Sequence, residues 1–463
     1  MDNKNIMLCL EVLGIGGVET YVVNQSLALK KKGYNVFVVS REGIYSNYLS
    51  KAGIICINYD FKHKESYNYN EILEFVQILK KYDINEVHIN QFTAMDVVFS
   101  ACLLTNTPYV VYLHMTSAII DNENLNAYNW LEKTYSTYKE KLSMLFKYAT
   151  NVVAITPEIK DYTVNRYKFD DNKCIVLPNS IDFSSYISEN EVKEISNVLI
   201  IGRLNEEKKA YLINAINLYI KMKESFKKKL HLNIVGDGPL RNEISEYINK
   251  NNLNSEDVTF YGAINNVKEV IDKNDVVIGL DRCILEAIAM KKIAIISSYK
   301  GNSKGIIKKE DILVEINENF CGDSLANISN DEIVKDLLAL DAKEIKNIVN
   351  ENYNLILNKL DINNNLFVVG NKKVDYLSSY LDIYSSLIRI NNIIGDKLDS
   401  YIDKCEKNWN DHLEYKNWIE ELLSKKEKEL EEKTLELNRI YSSRSYMALK
   451  KASKFVKKII KTK

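Results

Sequence analysis

The sequence has no paired cysteines: its seven, Cys9, Cys56, Cys102, Cys174, Cys283, Cys321 and Cys405, stand singly. That pattern offers neither a CxxC metal knuckle nor a disulfide framework, so reduced thiols are expected. The five histidines, at 63, 88, 114, 231 and 412, include no HExxH, and no metal site is implied. Long apolar runs are missing too. No stretch reaches the roughly 18 residues that a spanning helix needs. The apolar residues 6 to 10 are interrupted by Glu11 and followed by no small-residue cleavage site, so they are expected to form a first strand and not a signal peptide. Charge of one sign is also absent, with 62 Lys and Arg against 63 Asp and Glu for a formal net charge of -1, which predicts no general attraction to nucleic acid. The expected place is the cytoplasm.

What is present is enough chain for two or three domains. Its 463 residues are 46% hydrophobic and 27% charged, ordinary values for a globular protein. Residues 6 to 11 read as a strand, 18 to 32 as a helix closed by Gly33, and "NVFVVS" (35 to 40) as the next strand. The alternation continues through "GIICIN", a helix near 70 to 81, "NEVHIN", "YVVYLH", "NVVAI" and "KCIVLPN". Such a βαβ series predicts a parallel sheet covered on both faces by helices. After an irregular charged stretch at 184 to 194 it starts again with "NVLIIGRL", "HLNIVGDG", "VTFYG", "DVVIG" and "IAIIS".

The expected fold class is therefore α/β: two Rossmann-like, doubly wound domains with a cleft between them, plus a C-terminal helical extension. The expected divisions are 1 to 185, 186 to 370, a closing helix at 371 to 395 that returns to the first domain, and a helical tail at 396 to 463. Residues 405 to 441 are dense in Glu, Lys and Leu, which suits a solvated helix or a self-associating coiled coil. Residues 442 to 463 contain basic and no acidic residues, with Leu449, Ala452, Val456 and Ile459 on one helical face. An anionic membrane surface is the expected partner of that segment.

In open parallel sheets ligands bind beyond the carboxyl ends of the strands, and the chemistry-bearing residues fall there. "LGIGGVETY" places Gly14, Gly16 and Gly17 between strand and helix, where backbone can approach a ligand and helix N–H groups favour anions. The dinucleotide pattern fails at its third glycine, which is Glu19, and no GK[ST] follows. A tight turn that needs glycine is the alternative reading. His114 ends "YVVYLH", a position that suits a cleft residue as well as a structural one. Arg203 and Lys208 flank a strand-to-helix turn, five residues apart, and can serve a diphosphate or form a solvated cluster with Glu206, Glu207 and Lys209. Gly236, in a Gly-Asp-Gly-Pro turn, marks another loop of the cleft. Glu286 lies in the short helix of "DVVIGLDRCILEAIAMKKIAII".

Together, "GIGGVETYVVNQSLALKKKGYNVFVVS", "VLPNSID", "IIGRLNEEKK", "IVGDGPL", "VTFYGAI" and "RCILEAIAMKK" resemble, in order and spacing, the retaining family 4 glycosyltransferases over roughly residues 5 to 390. The resemblance implies the GT-B fold, a nucleotide-sugar donor, UDP-linked, in the cleft, and metal-independent hexosyl transfer with retention at the anomeric carbon. It implies that Gly16 and Gly17 lie near the donor diphosphate and acceptor, that Arg203 and Lys208 bind the diphosphate and stabilise its departure, and that Gly236 borders the donor. It also puts His114 near the transferred sugar and gives Glu286 the nucleotide ribose.

One departure from the family stands eight residues before Glu286, where the first acid of the family's pair is replaced by Ile278. Arg282 is then expected to take over a donor contact, with Asp281 out of register. The basic end resembles that of some bacterial polysaccharide glycosyltransferases, which implies an acceptor among cell-surface polysaccharides, glycolipids and protein-linked glycans, carried on a lipid or beside the inner face of the membrane. A second reading, drawn from Ile278 and the long tail, is a catalytically impaired nucleotide-binding or scaffold protein of the same shape.

Overall fold

In a computed structural model of the chain, residues 4–61, 69–91, 95–114, 145–254, 256–264, 266–370, 374, 376, 424–426, 428–433 and 435 are described. The first domain is a seven-stranded sheet, β1 (Asn5–Val12), β2 (Asn35–Arg41), β3 (Ile55–Asn58), β4 (Glu86–Ile89), β5 (Tyr109–Leu113), β6 (Asn151–Ala154) and β7 (Cys174–Val176), in the order β3-β2-β1-β4-β5-β6-β7. All of its pairings are parallel. The second domain holds β8 (Asn197–Ile201), β9 (His231–Val235), β10 (Val258–Gly262), β11 (Val276–Gly279), β12 (Ile293–Ser297) and β13 (Ser303–Ile306), ordered β10-β9-β8-β11-β12-β13. Here β13 runs antiparallel to β12 and caps the edge. The sequence reading did not find β13, whose four residues, SKGI, carry little strand signal.

The strand periodicity explains the cores. Met7 and Cys9 face one hydrophobic cluster while Ile6, Leu8 and Leu10 face another. In the second sheet Val198, Ile200, Val276 and Ile278 pack on one side, and Leu199, Val277, Ala294 and Ile296 on the other. Sheets covered on both faces read as continuous apolar runs, which is what these strands are.

In both sheets the strand order reverses near the centre, between β1 and β4 and between β8 and β11. Each reversal opens a crevice at the strands' carboxyl ends.

Among the described residues the chain crosses between the domains twice. Leu177 packs on the first domain and Ile181, Phe183 and Tyr186 on the second. The way back runs from Leu360, in the second core, to Leu366, Phe367, Val368 and Val369 on the first. Val374 and Tyr376 pack there as well. Ile181 N–H donates to Leu360 O and Ile362 N–H to Ile181 O, stitching the two crossings together. The return is fixed by Glu86, a fully buried acid in β4 that accepts from Val369 N–H, from Lys4 Nζ and, at 2.8 Å, from His88 Nε2. Burial pushes its carboxyl up, but these donors more than offset that and hold it below the usual range. The expected closing helix at 371 to 395, the self-associating segment and the basic end fall almost wholly outside the described residues, apart from short helical stretches within 424 to 435.

Candidate functional site

At the first crevice, the helix Gly17–Lys31 begins directly after the glycine loop, with Gly16 as its cap in extended backbone. Thr20 Oγ1 donates back to Gly16 O at 2.7 Å. A Cβ at Gly16 would meet the Glu19 carboxylate, whereas beside Gly17 there is open space. His114 follows β5, with its Nε2 3.1 Å from Asn90 Oδ1 and its ring edge-on to Tyr21 at 5.0 Å. Burial and then the Arg282 charge lower its pKa to about 3, so the imidazole is neutral at physiological pH. When Nε2 donates to Asn90, Nδ1 is left as an acceptor.

The second crevice is charged. After β8, Asn205 accepts from Lys208 N–H at 3.2 Å and caps a short turn that leads into the helix Lys209–Ser225. Lys208 reaches across to Asp281, with Nζ 3.4 Å from Oδ2, and lies over the Tyr299 ring. Arg203 remains exposed on the same loop. Lys208 and not Arg203 therefore touches the loop after β11. Gly236 has φ +140°, and a Cβ there would run into Gly202 O. Its visible role is close backbone packing of the β9 loop against the β8 loop.

Beyond β11 the chain turns at Asp281, whose φ of 59° and ψ of -141° are unusual for any residue but glycine. Its N–H donates to Phe320 O at 3.0 Å, Oδ2 accepts from Tyr299 at 2.7 Å and Oδ1 from Cys321 Sγ at 3.1 Å. Phe320 and Asn319 are left-handed as well. Asn319 in turn accepts from Asn179 at 2.7 Å, beside the first interdomain crossing. The helix Arg282–Ala289 starts next, and Glu286, one turn in, is buried. Its Oε1 accepts from Arg282 Nε at 3.0 Å and from Tyr186 OH at 2.9 Å.

The position of Ile278 revises one expectation. It is fully buried inside β11, packed in the second core, and its carbonyl accepts from Tyr211 OH. A carboxylate at 278 would lie in the core and not in the crevice. The residue at the crevice is Asp281, and its carboxylate faces Lys208 although the spacing placed it out of register.

The comparisons with known proteins agree with this fold. The Glycosyltransferase Family 4 profile matches residues 15–185, and the profile for Glycosyl transferases group 1 matches residues 196–328. The chain belongs to the group 1, family 4-like glycosyltransferases. Its two sheets and interdomain crevice are those of the GT-B fold. A glycosyltransferase from Rickettsia africae has a similar structure, with a TM-score of 0.57 at 18% identity, covering 84% of this chain and 99% of that one. HepE of Anabaena, in a complex with UDP-glucose, gives 0.57 at 15% identity, over 81% and 99%. The uncharacterized glycosyltransferase MJ1059 of Methanocaldococcus jannaschii is 26% identical over 181 residues, 36% of this chain and 44% of that protein. The match thus spans less than half the length of that relative.

In this glycosyltransferase the described residues contain no cluster of three or more His, Cys, Asp or Glu able to hold a metal ion, and no described helix is long and apolar enough to cross a membrane. Sequence reasoning set Asp281 aside as out of register and missed Tyr299, Cys321, Tyr186 and Tyr21 as site neighbours. Only Asp281 had a signal, an acid at the head of a helix directly after a strand.

Proposed function

We propose that this chain transfers a sugar from a nucleotide-sugar, UDP-linked, to a glycan or lipid-linked acceptor, with retention of configuration and without a metal. The observation that carries the reading is the convergence, at one sheet reversal, of Lys208 with the loop that leads into the helix bearing Arg282 and Glu286. HepE, of the same fold, is seen with UDP-glucose. In this reading Lys208, with the exposed Arg203, neutralises the diphosphate in the donor and again as it departs, a role for which fixed cations are well suited. Glu286 holds the ribose. Gly16 and Gly17 let the acceptor and diphosphate approach, Gly236 borders the donor, and neutral His114 offers the transferred sugar a hydrogen-bond partner.

The departing diphosphate, with no protein base, assists the acceptor hydroxyl. The acceptor is a cell-surface polysaccharide, glycolipid or protein-linked glycan, met by a cytoplasmic enzyme held at the inner membrane face by residues 442–463.

The test is calorimetry of the full chain with UDP, GDP and their common sugars, followed by turnover with lipid-linked acceptors. One nucleotide should bind, and Lys208→Ala should weaken it at least tenfold while the fold is retained. No nucleotide binding at all would sink the reading. For the tail, anionic liposomes should sediment the full chain but not a version ending at 440, less so as salt rises; equal sedimentation would remove the membrane partner.

A further inference from the structure

We propose that Tyr186 is a positioning residue for donor binding: from the interdomain crossing its hydroxyl fixes one oxygen of Glu286, so that the other is presented to the nucleotide ribose. The inference rests on the donor reading above and adds to it a residue that acts without touching the ligand.

Glu286 sits one turn into the helix Arg282–Ala289 and is 6% exposed. Both of its internal donors converge on Oε1, Arg282 Nε at 3.0 Å and Tyr186 OH at 2.9 Å. Oε2 takes no donor among the described residues and is not sealed from solvent. The Glu286 charge acts on Tyr45 of the first domain, which puts the carboxylate on the crevice side of its helix.

The two donors do different things. Arg282 lies one turn back on the same helix, so its bond is internal to that helix. A single bond to a single oxygen still lets the carboxylate swing about it. Tyr186 is 100 residues away in sequence and meets Oε1 from another element, the first interdomain crossing. Donors from two directions fix where Oε2 points, and a ligand hydroxyl then finds its acceptor already in place.

Tyr186 is itself held. It is buried in the second core with Ile181 and Phe183, and Lys268 Nζ lies 4.2 Å from its ring centroid while donating to Ser185 Oγ at 2.7 Å. The cations Arg282 and Lys268 here answer the acids Glu286 and Asp182, so the group is balanced without a charge on the phenol. Burial and then the Glu286 charge raise the Tyr186 pKa well above its ordinary value, so the phenol keeps its proton and is the donor. Packing in that core asks only for a ring; the hydroxyl is what reaches Glu286.

The experiment is titration calorimetry of UDP and of 2′,3′-dideoxy-UDP, which lacks the ribose hydroxyls. The proteins are the full-length wild type, Tyr186→Phe, Glu286→Gln, the double variant and Lys208→Ala, each checked by circular dichroism. The wild type should prefer UDP by about tenfold or more, the scale of a hydrogen bond to a charged group. Tyr186→Phe should cut that preference to about threefold or less and leave dideoxy-UDP affinity within about twofold. In the Glu286→Gln background Tyr186→Phe should change nothing further, as expected of two residues that act in one chain. Lys208→Ala should weaken both ligands alike and keep the preference.

A Tyr186→Phe variant that keeps the wild-type preference would overturn the proposal, as would one that weakens both ligands equally, which would mark a role in packing alone. If Tyr186→Phe does not fold, a crystal structure of the wild type with UDP decides: Glu286 should bridge Tyr186 and the ribose, and a Glu286 that has left Tyr186 to reach the ribose would overturn the proposal. A wild type that binds UDP and its dideoxy form equally would bring down the ribose role of Glu286, and this proposal with it. A wild type that ignores UDP altogether would bring down the uridine donor reading on which both rest.

Discussion

At the ends of β1, β4 and β5 the first domain offers glycine backbone, the Asn90 amide and a neutral His114, whereas at the ends of β8 and β11 the second offers Lys208, Asp281, Arg282 and Glu286. The two walls come from the same topology, with sheet order reversing once in each. What differs is the dielectric task. A wall that meets hydroxyls needs close approach and weak acceptors, while a wall that meets a diphosphate needs cations.

The largest effect should come from removing the charge on one wall only. Lys208→Ala should lower turnover by about 10²- to 10³-fold, the usual scale for one lost oxyanion donor, and weaken UDP binding with it. His114→Gln should lower turnover but leave UDP affinity within about threefold. Equal losses of UDP affinity in the two variants would erase the division of labour.

Next comes the packing that holds the charged wall. Gly236→Ala forces a Cβ toward Gly202 O at positive φ, where the backbone has no room to yield. A loss of about 3 kcal/mol is expected, read as a lower melting temperature. A neutral result would mean that the β8 and β9 loops move apart freely.

Acid and alkali should then separate the walls. His114, lowered to about 3, favours the folded state while unprotonated, so its contribution is lost as pH falls from about 6.5 toward 3. Glu315 lies under the other wall, fully buried, with Oε2 accepting from Gly322 N–H at 3.0 Å. Burial first, and then nearby Glu318, Asp323 and Asp311, raise its pKa from 4.5 to about 7. Its contribution is full below pH 4.5 and is lost as pH rises through 7. Glu315→Gln should therefore stabilise the fold by about 2 kcal/mol at pH 8 and little at pH 4. A pH-independent difference in denaturant melts would contradict the assignment.

The smallest effect is expected at the strained turn. Asp281→Gly relieves an unfavourable backbone geometry but adds unfolded-state freedom and gives up the bonds from Tyr299 and Cys321, so a net loss of about 1 kcal/mol is expected. Releasing Lys208 from its carboxylate should tighten UDP about threefold. Weaker UDP binding would mean that Asp281 holds the ammonium where the diphosphate needs it.

The alternation of strands and helices was legible because sheets buried on both faces write themselves as apolar runs, and the glycine loop, His114, Lys208 and Glu286 were legible because each follows the end of such a run. Asp281 was not. Its place depends on a turn of positive φ, whereas the position eight residues before Glu286 is Ile278, inside β11. The Tyr186 to Glu286 bond and the Asn179 to Asn319 bond join residues 100 and 140 positions apart, which local pattern does not encode. Glu86 left one sign, an acid inside a short buried strand, but its partner Val369 is 283 residues away.

The paired crossings at Ile181 and Asp361 have a mechanical meaning. Two strands of chain laid side by side and bonded to each other resist twist far better than one, while still bending across their common line. Two bonded crossings, in place of a single one, narrow the set of relative positions that the two halves can take.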